Sequence, residues 1–467
     1  MPQHSSALGR AALAQLWQTA GMPEHWLTQA RLIGADPILP SSFAVGTAAQ
    51  STIAASGLAA AALWEQRGGL RQTVSVDIWH AAIEFRSERY LTVDGEAPAD
   101  PWDKIAGLYR CADGWVRIHT NFPHHRDGIL SILGCAYDKT AVQDTLMQWT
   151  AEAFEDAVAE RGMVATALRS FAQWDAHPQG IAISQLPIFS IEKIGEAPPQ
   201  PLPFGPRPLS GVHVLDLTRV IAGPVGCRTL AAHGADVLQI TSPNLPCIPL
   251  TVIDNGRGKR ACHIDLTTLP GRLQLAGLLG EADVFVQGYR PGGLQALGFG
   301  PEQAAMQRPG LVYASLSAYG HAGPWAARRG FDSLTQTAAG FNVAEATAAG
   351  QTTPRPFPAQ VLDHAAGYLL ALGSMAALYR RASEGGSWHV RVSLAQTAHW
   401  LRGLGRIEGG IACVEPPAEV VGSFLEESDS GFGRLKAVRH AAQLDLTPAH
   451  WDLPSVPLGT HAASWAA

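Results

Sequence analysis

Downstream of residue 211 the chain repeats one apolar pattern. Short runs dense in Val, Leu and Ile at 212–217, 235–240, 260–266, 282–286 and 311–316 read as buried strands. The segments 225–233, 270–279 and 301–306 between them read as helices. Strands alternating with helices predict an α/β fold: a parallel sheet covered on both faces, with ligands at the carboxyl ends of its strands. The loops to watch are therefore 218–224, 287–292 and 317–324.

Upstream, 43–64 is rich in Ala, Gly, Ser and Thr and too weakly apolar for a membrane span, so it reads as a buried helix. This stretch begins a weak internal repeat. Ala61-Ala62-Leu63-Trp64, a glycine turn and Val74-Ser75-Val76 resemble Ala376-Ala377-Leu378-Tyr379, a glycine turn and Val390-Arg391-Val392. Only the second copy has a carboxylate ahead of its helix, Asp363; 43–64 holds no Asp or Glu. Between the copies, the proline-rich passage 197–208 has the composition of a semi-rigid linker. It divides the chain into an N-terminal region (1–200), a linker (201–208), a sheet domain (209–400) and a C-terminal extension (401–467) expected to pack back on the fold.

Composition narrows the function classes. A net charge of −6 argues against nucleic acid or an anionic membrane surface as general partner. Locally, between Gly205 and Arg290, basic residues slightly outnumber acidic ones, which suits a phosphate-bearing ligand. The six cysteines form no CxxC pair, so neither a zinc site nor a disulfide framework is expected. The start, Met1-Pro2-Gln3-His4, lacks a secretory pattern, and a cytoplasmic protein is the expectation.

Asp363 is the leading candidate for chemistry. It stands where the apolar run 359–362 breaks into an Ala/Leu helix, which is the place of an N-cap, a role worth about 1 kcal/mol. A carboxylate held beside helix N–H groups can also act as a covalent nucleophile. Asp332 reads as the cap of a helix at 333–339. The polar run His119-Thr120-Asn121-Phe122-Pro123-His124-His125 suits a substrate pocket, and its histidines lack ligand spacing for a metal.

Together the motifs resemble the family III coenzyme A transferases, the CaiB/BaiF group, which includes acyl-CoA racemases. The resemblance is carried by 209–224 (Leu209-Ser210-Gly211 through Ala222-Gly223-Pro224), Ala232-His233-Gly234-Ala235-Asp236, Gly258-Lys259-Arg260, Tyr289-Arg290-Pro291-Gly292, Tyr319-Gly320-His321-Ala322-Gly323-Pro324 and Gly330-Phe331-Asp332. It is strong over about 205–400, and 1–200 looks like the later part of a truncated second copy that includes Asp113-Gly114-Trp115. It implies a Rossmann-like sheet domain plus a smaller α+β domain built from the N-terminal region. It further implies an acyl-CoA donor and a carboxylate acceptor, coenzyme A as substrate with no permanently bound cofactor, and possible homodimers.

By the same resemblance Asp363 is the nucleophile, passing through an aspartyl-CoA thioester. Val220, Ala222, Gly223, Lys259, Arg260, Leu266, Tyr289 and Arg290 are then the coenzyme contacts. Two departures touch the adenosine side: Gln239 and Thr241 after the second strand, and Gln287-Gly288 before the Tyr-Arg-Pro-Gly turn. Rival readings are an acyl-CoA racemase, with His364 or His321 standing in where Phe331 replaces that group's usual His, and a noncatalytic CoA-binding protein. A dinucleotide-dependent oxidoreductase would need GxGxxG after the first strand, which is missing.

Overall fold

The computed structural model describes residues 7–465, so the reading made on Met1 to His4 lies outside the described residues. Helix α1 (Val45–Gln66) leads through a glycine turn to strand β1 (Val74–Asp77). Strand β2 (Phe189–Gly195) precedes the proline-rich passage. After it come β3 (His213–Leu217), α2 (Ala222–Ala232), β4 (Asp236–Thr241), β5 (Lys259–His263), α3 (Leu269–Leu279), β6 (Val284–Gln287), β7 (Val312–Ser317), α4 (Asp332–Ala338), α5 (Val361–Glu384) and β8 (Ser387–Ser393).

Seven of these strands form one sheet in the order β5-β4-β3-β6-β7-β8-β2. All neighbours run parallel except β2, which joins β8 antiparallel. In register, Val214 of β3 lies beside Val237 of β4 and Val284 of β6, and these side chains are fully buried. Strand runs with so little polar interruption are what a sheet covered on both faces requires. The order reverses at β3: its next strand in sequence, β4, lies on one side and β6 on the other. A crevice opens at the carboxyl ends of the strands at such a reversal.

Helix α5 runs through the centre of the protein. Its most apolar stretch is long and apolar enough to cross a membrane, yet it is entirely buried inside this fold. A helix apolar on every side needs protein on every side, and α1 and α2 supply it. The crossing with α2 is made by two glycines. A Cβ on Gly367 would stand 2.5 Å from the carbonyl oxygen of Ala222, and one on Gly226 would stand 2.8 Å from that of Gly367. The backbones therefore touch, and the first turn of α5 is held beside the start of α2.

The expected elements appear with ends shifted by a few residues: the helix expected at 225–233 begins at Ala222, and the strand expected at 260–266 is Lys259–His263. The repeat is structural as well. Each copy is a buried helix, a glycine turn and a strand, α1 to β1 and α5 to β8, with α1 packed on α5. The proline-rich passage is not a free spacer. Arg67 donates hydrogen bonds to the carbonyl oxygens of Pro203, Arg207, Pro208 and Ser210, and the N–H of Gln200 donates to Arg381 O at 3.1 Å. With β2 from its N-terminal side completing the main sheet, the regions on either side share one core.

A smaller α+β unit stands within the N-terminal region. Three antiparallel strands, Gly107–Arg110, Trp115–Ile118 and Ala165–Ala167, pack with helices Pro123–Leu133, Lys139–Leu146 and Ala151–Glu160 around Val116, Ile118, Ile129 and Phe154. The C-terminal residues return to the fold. Gln443–Leu444 pairs with β1, and the backbone of His461 donates to Ala261 O at 2.8 Å, covering the open edge of β5.

Candidate active site

The crevice at the β3/β6 reversal is a cleft of about 770 Å³. Its walls come from the loops after β3, β4 and β6, the segment before α4, and Phe122, His124 and His125 of the smaller unit. One chain thus supplies both the sheet side and the α+β side. A second cavity, about 350 Å³, lies behind it. Val220, Ile221, Phe331 and Asp363 line both.

Asp363 is the third residue of α5, not its N-cap; Gln360 holds that place and makes no side-chain cap. The cap comes from Asp332, whose Oδ2 accepts the N–H of Asp363 at 2.9 Å. Asp332 in turn is the first residue of α4 and not the cap of it, Phe331 being the N-cap. The sequence placed both acids at helix starts but could not show that one serves the other's helix, across the fold.

This division of labour leaves the Asp363 carboxyl free. It is 8% exposed, and among the described residues no group donates a hydrogen bond to it. Burial, then the neighbouring charges of Asp332 and Glu88, push its pKa well above the ordinary carboxylate value. Burial raises Asp332 too, to about 6, but the N–H groups of Asp363 and Leu362 and the amide of Gln336 pull the other way. Within the pair the charge therefore settles on Asp332 and the proton on Asp363.

The first repeat copy shows the same device without the reactive group. Asp36 accepts the N–H of Gly46 at 3.1 Å and of Thr47 at 2.7 Å, capping α1 as Asp332 caps α5. Aligned on Ala61 and Ala376, position 363 falls on Ala48, which is fully buried. The capping acid recurs and the free one does not.

Val220 sits at φ 73°, a left-handed conformation costly for a β-branched side chain. Its carbonyl accepts from the Asn255 amide at 3.3 Å. The turn delivers Ile221 and Ala222 to the cleft wall at the start of α2. Such outliers gather at functional sites because the surroundings must hold them there.

Of the other expected coenzyme contacts, Ala222, Leu266, Tyr289 and Arg290 line the cleft beside Val220. Three do not. Lys259 is fully buried, donating to Asp216 Oδ2 at 2.8 Å and Pro224 O at 2.9 Å. Arg260 pairs with Asp236 at 2.7 Å and donates to Ser464 O. Gly223 turns its α-carbon to the Thr218 side chain. Each is taken up inside the protein instead: Lys259 and Arg260, on successive and so oppositely facing strand positions, each meet a carboxylate, and Gly223 packs on Thr218.

The basic side of the cleft is instead Arg219, Arg290, Arg328 and Arg329, with Asn244 at its edge. Arg290 is exposed and pairs with no acid among the described residues; Arg219 lies 4.9 Å over the Phe122 ring. The Arg328-Arg329 doublet directly before Gly330-Phe331-Asp332 was the signal in the sequence that went unused. His124 and His125 also line the cleft, and burial pushes His125 down to about 3, so it stays neutral. The two histidines weighed for racemisation lie elsewhere: His364 faces Glu88 at 3.2 Å, and neither it nor His321 lines either of these two cavities.

A parallel-sheet crevice rimmed by arginines and ending at an unbonded carboxyl has the chemistry that suits a phosphate-bearing ligand next to a candidate nucleophile. Residues 209–406 match the sequence model of CoA-transferase family III. A probable fatty acyl-CoA transferase of Mycobacterium tuberculosis is 36% identical over 205 residues, 41% of this chain and 52% of that protein. An acyl-CoA transferase of Gibberella moniliformis is 28% identical over 372 residues, covering 69% of this chain and 64% of its own length. A crystal structure of the M. tuberculosis protein is 35% identical over 42% of this chain and 56% of that one, with a TM-score of 0.40. The chain thus matches 52% and 64% of the length of these two relatives.

Proposed function

We propose that this protein is a coenzyme A transferase acting through Asp363. The observation that carries the reading is the Asp363 carboxyl, without a hydrogen bond and on the wall shared by two cavities. Coenzyme A lies in the larger, its phosphates toward Arg219, Arg290 and Arg329, which suit phosphate oxygens as fixed cationic forks. The thioester then reaches Asp363.

Asp363 first gives up its proton to solvent; its carboxylate oxygen then attacks the thioester carbonyl, the C–S bond breaks, and a mixed anhydride and coenzyme A thiolate form, the proton returning when Asp363 is restored. The thiolate attacks the aspartyl carbonyl, giving an aspartyl-CoA thioester and the free donor carboxylate. The acceptor carboxylate attacks that thioester, and the released thiolate takes the new acyl group, restoring Asp363. No proton or electron is gained or lost overall. The raised pKa has a use here: a carboxylate poorly stabilised in its pocket is the better nucleophile once ionised.

Racemisation is the weaker reading, because Phe331 stands in the shared wall where an acid or base would be needed. The test is incubation with a panel of acyl-CoA donors and carboxylate acceptors, followed by mass spectrometry of the peptide bearing Asp363. A coenzyme A adduct there, and loss of transfer in Asp363→Ala, are expected. Undiminished transfer in Asp363→Ala would remove the mechanism, and deuterium exchange at the α-carbon without transfer would select the racemase.

A further inference from the structure

We infer that the smaller cavity receives the acyl chain, and that His119 selects chains bearing an uncharged hydrogen-bonding group, a hydroxyl or a keto oxygen. The inference rests on the transferase reading of Asp363. The two cavities share Val220, Ile221, Phe331 and Asp363 in their lining, so a thioester carbonyl at the Asp363 carboxyl has the smaller cavity beside it for its chain. At the roughly 30 Å³ that a water-sized group occupies in a liquid, the cavity of about 350 Å³ holds about a dozen heavy atoms. That is room for an acyl chain of up to about a dozen heavy atoms, and for a four-carbon chain bearing an extra oxygen with space to spare.

Besides Asp363, His119 is a polar group on this cavity that the protein leaves unbonded. It is 4% exposed, and neither ring nitrogen is bonded to another residue among the described residues; Nδ1 is fully buried, so Nε2 is the nitrogen open to a ligand. Two aromatic rings hold its plane. The Phe331 ring stacks on it at 3.9 Å and 9°, and the Trp102 ring meets it edge-on at 5.7 Å. A buried polar group without a partner is costly, and a ligand that supplies the partner recovers that cost.

Charge decides what the partner can be. Burial first, then Arg117 and His125, push His119 down to about 3, so it offers a neutral imidazole. Four carboxyl groups, Glu88, Asp100, Asp332 and Asp363, line the same cavity against one guanidinium, Arg89. A chain ending in a carboxylate would meet net negative charge. A plain alkyl chain would leave His119 unpaired.

The test uses the full chain with butanoyl-CoA, 3-hydroxybutanoyl-CoA and succinyl-CoA as donors, reading both the Asp363 adduct and kcat/KM. The expectation is that 3-hydroxybutanoyl-CoA exceeds butanoyl-CoA by roughly tenfold, the worth of one neutral hydrogen bond, with succinyl-CoA last. His119→Leu should bring the hydroxy-to-alkyl ratio toward one, and His119→Asn, which keeps a donor and an acceptor, should restore part of it. That ratio is insensitive to loss of folded enzyme, and the wild-type preference stands without any variant. Equal use of the three donors overturns the inference and leaves the transferase standing, as does a ratio unmoved in His119→Leu. A succinyl-CoA preference lost in Arg89→Gln overturns it in favour of a carboxylate-ended chain. Absence of an Asp363 adduct with every donor overturns the transferase reading and the inference with it.

Discussion

Replacing Asp363 should make this protein more stable. Asp363 is buried, unbonded and flanked by the charges of Asp332 and Glu88, so its ionised form is penalised in the folded state. Asp363→Asn keeps the shape and removes that charge. Leaving a buried polar or charged group uncompensated costs about 1–3 kcal/mol or more, so the variant should gain on that order at neutral pH. An unfolding entropy of about 2.1 cal/mol/K per residue amounts to roughly 1 kcal/mol/K for this chain, so the gain is a rise in Tm of only about 1–3 °C. The urea midpoint is a useful second measure.

The sign with pH follows from linkage. An unfolded aspartate ionises near 3.9, while the folded Asp363 holds its proton to higher pH. The wild type therefore carries no penalty below about pH 4, loses stability as pH rises toward the folded pKa, and stays level beyond it. The advantage of Asp363→Asn should thus be largest at pH 8 and shrink toward pH 4.5, with transfer activity abolished throughout. A variant no more stable than wild type at pH 8, or an advantage that does not depend on pH, would refute this account of Asp363.

Other substitutions separate the site from its scaffold. Gly367→Ala drives a methyl to within 2.5 Å of Ala222 O and should cost about 1–3 kcal/mol in a denaturation measurement, while misplacing Asp363 against α2. Lys259→Met leaves Asp216 charged and unpaired in the core; a loss of about 3–5 kcal/mol is expected, seen as a lower urea midpoint. Arg290→Ala removes an exposed cation with no acidic partner and should leave stability within about 0.5 kcal/mol, while raising KM for acyl-CoA in steady-state kinetics, the more so at low salt.

The contrast between Lys259 and Arg290 shows how far sequence reasoning reached. Both are basic residues in loops or strand ends of a parallel sheet, and the sequence offered them as equal contacts for a phosphate-bearing ligand. Only the fold tells that Lys259 neutralises Asp216 on the buried side while Arg290 opens on the cleft. Arg219, Arg328 and Arg329 escaped for the same reason: a side chain's direction at a loop is set by contacts distant in sequence, such as the Phe122 ring under Arg219.

The sequence by itself determined the alternation of strand and helix, the parallel sheet, the repeated helix-turn-strand unit and the single aspartate that distinguishes its second copy. Those features are local: apolar period, turn glycines and the presence or absence of a carboxylate can be read along the chain. The tertiary structure decided what that aspartate is. The backbone crossing at Gly226 and Gly367 sets it beside α2, and Asp332 takes over the capping that its own position suggested. Asp363 is left buried, reluctantly charged and open to two cavities, because capping, charge and access depend on which distant atoms arrive within a few ångströms.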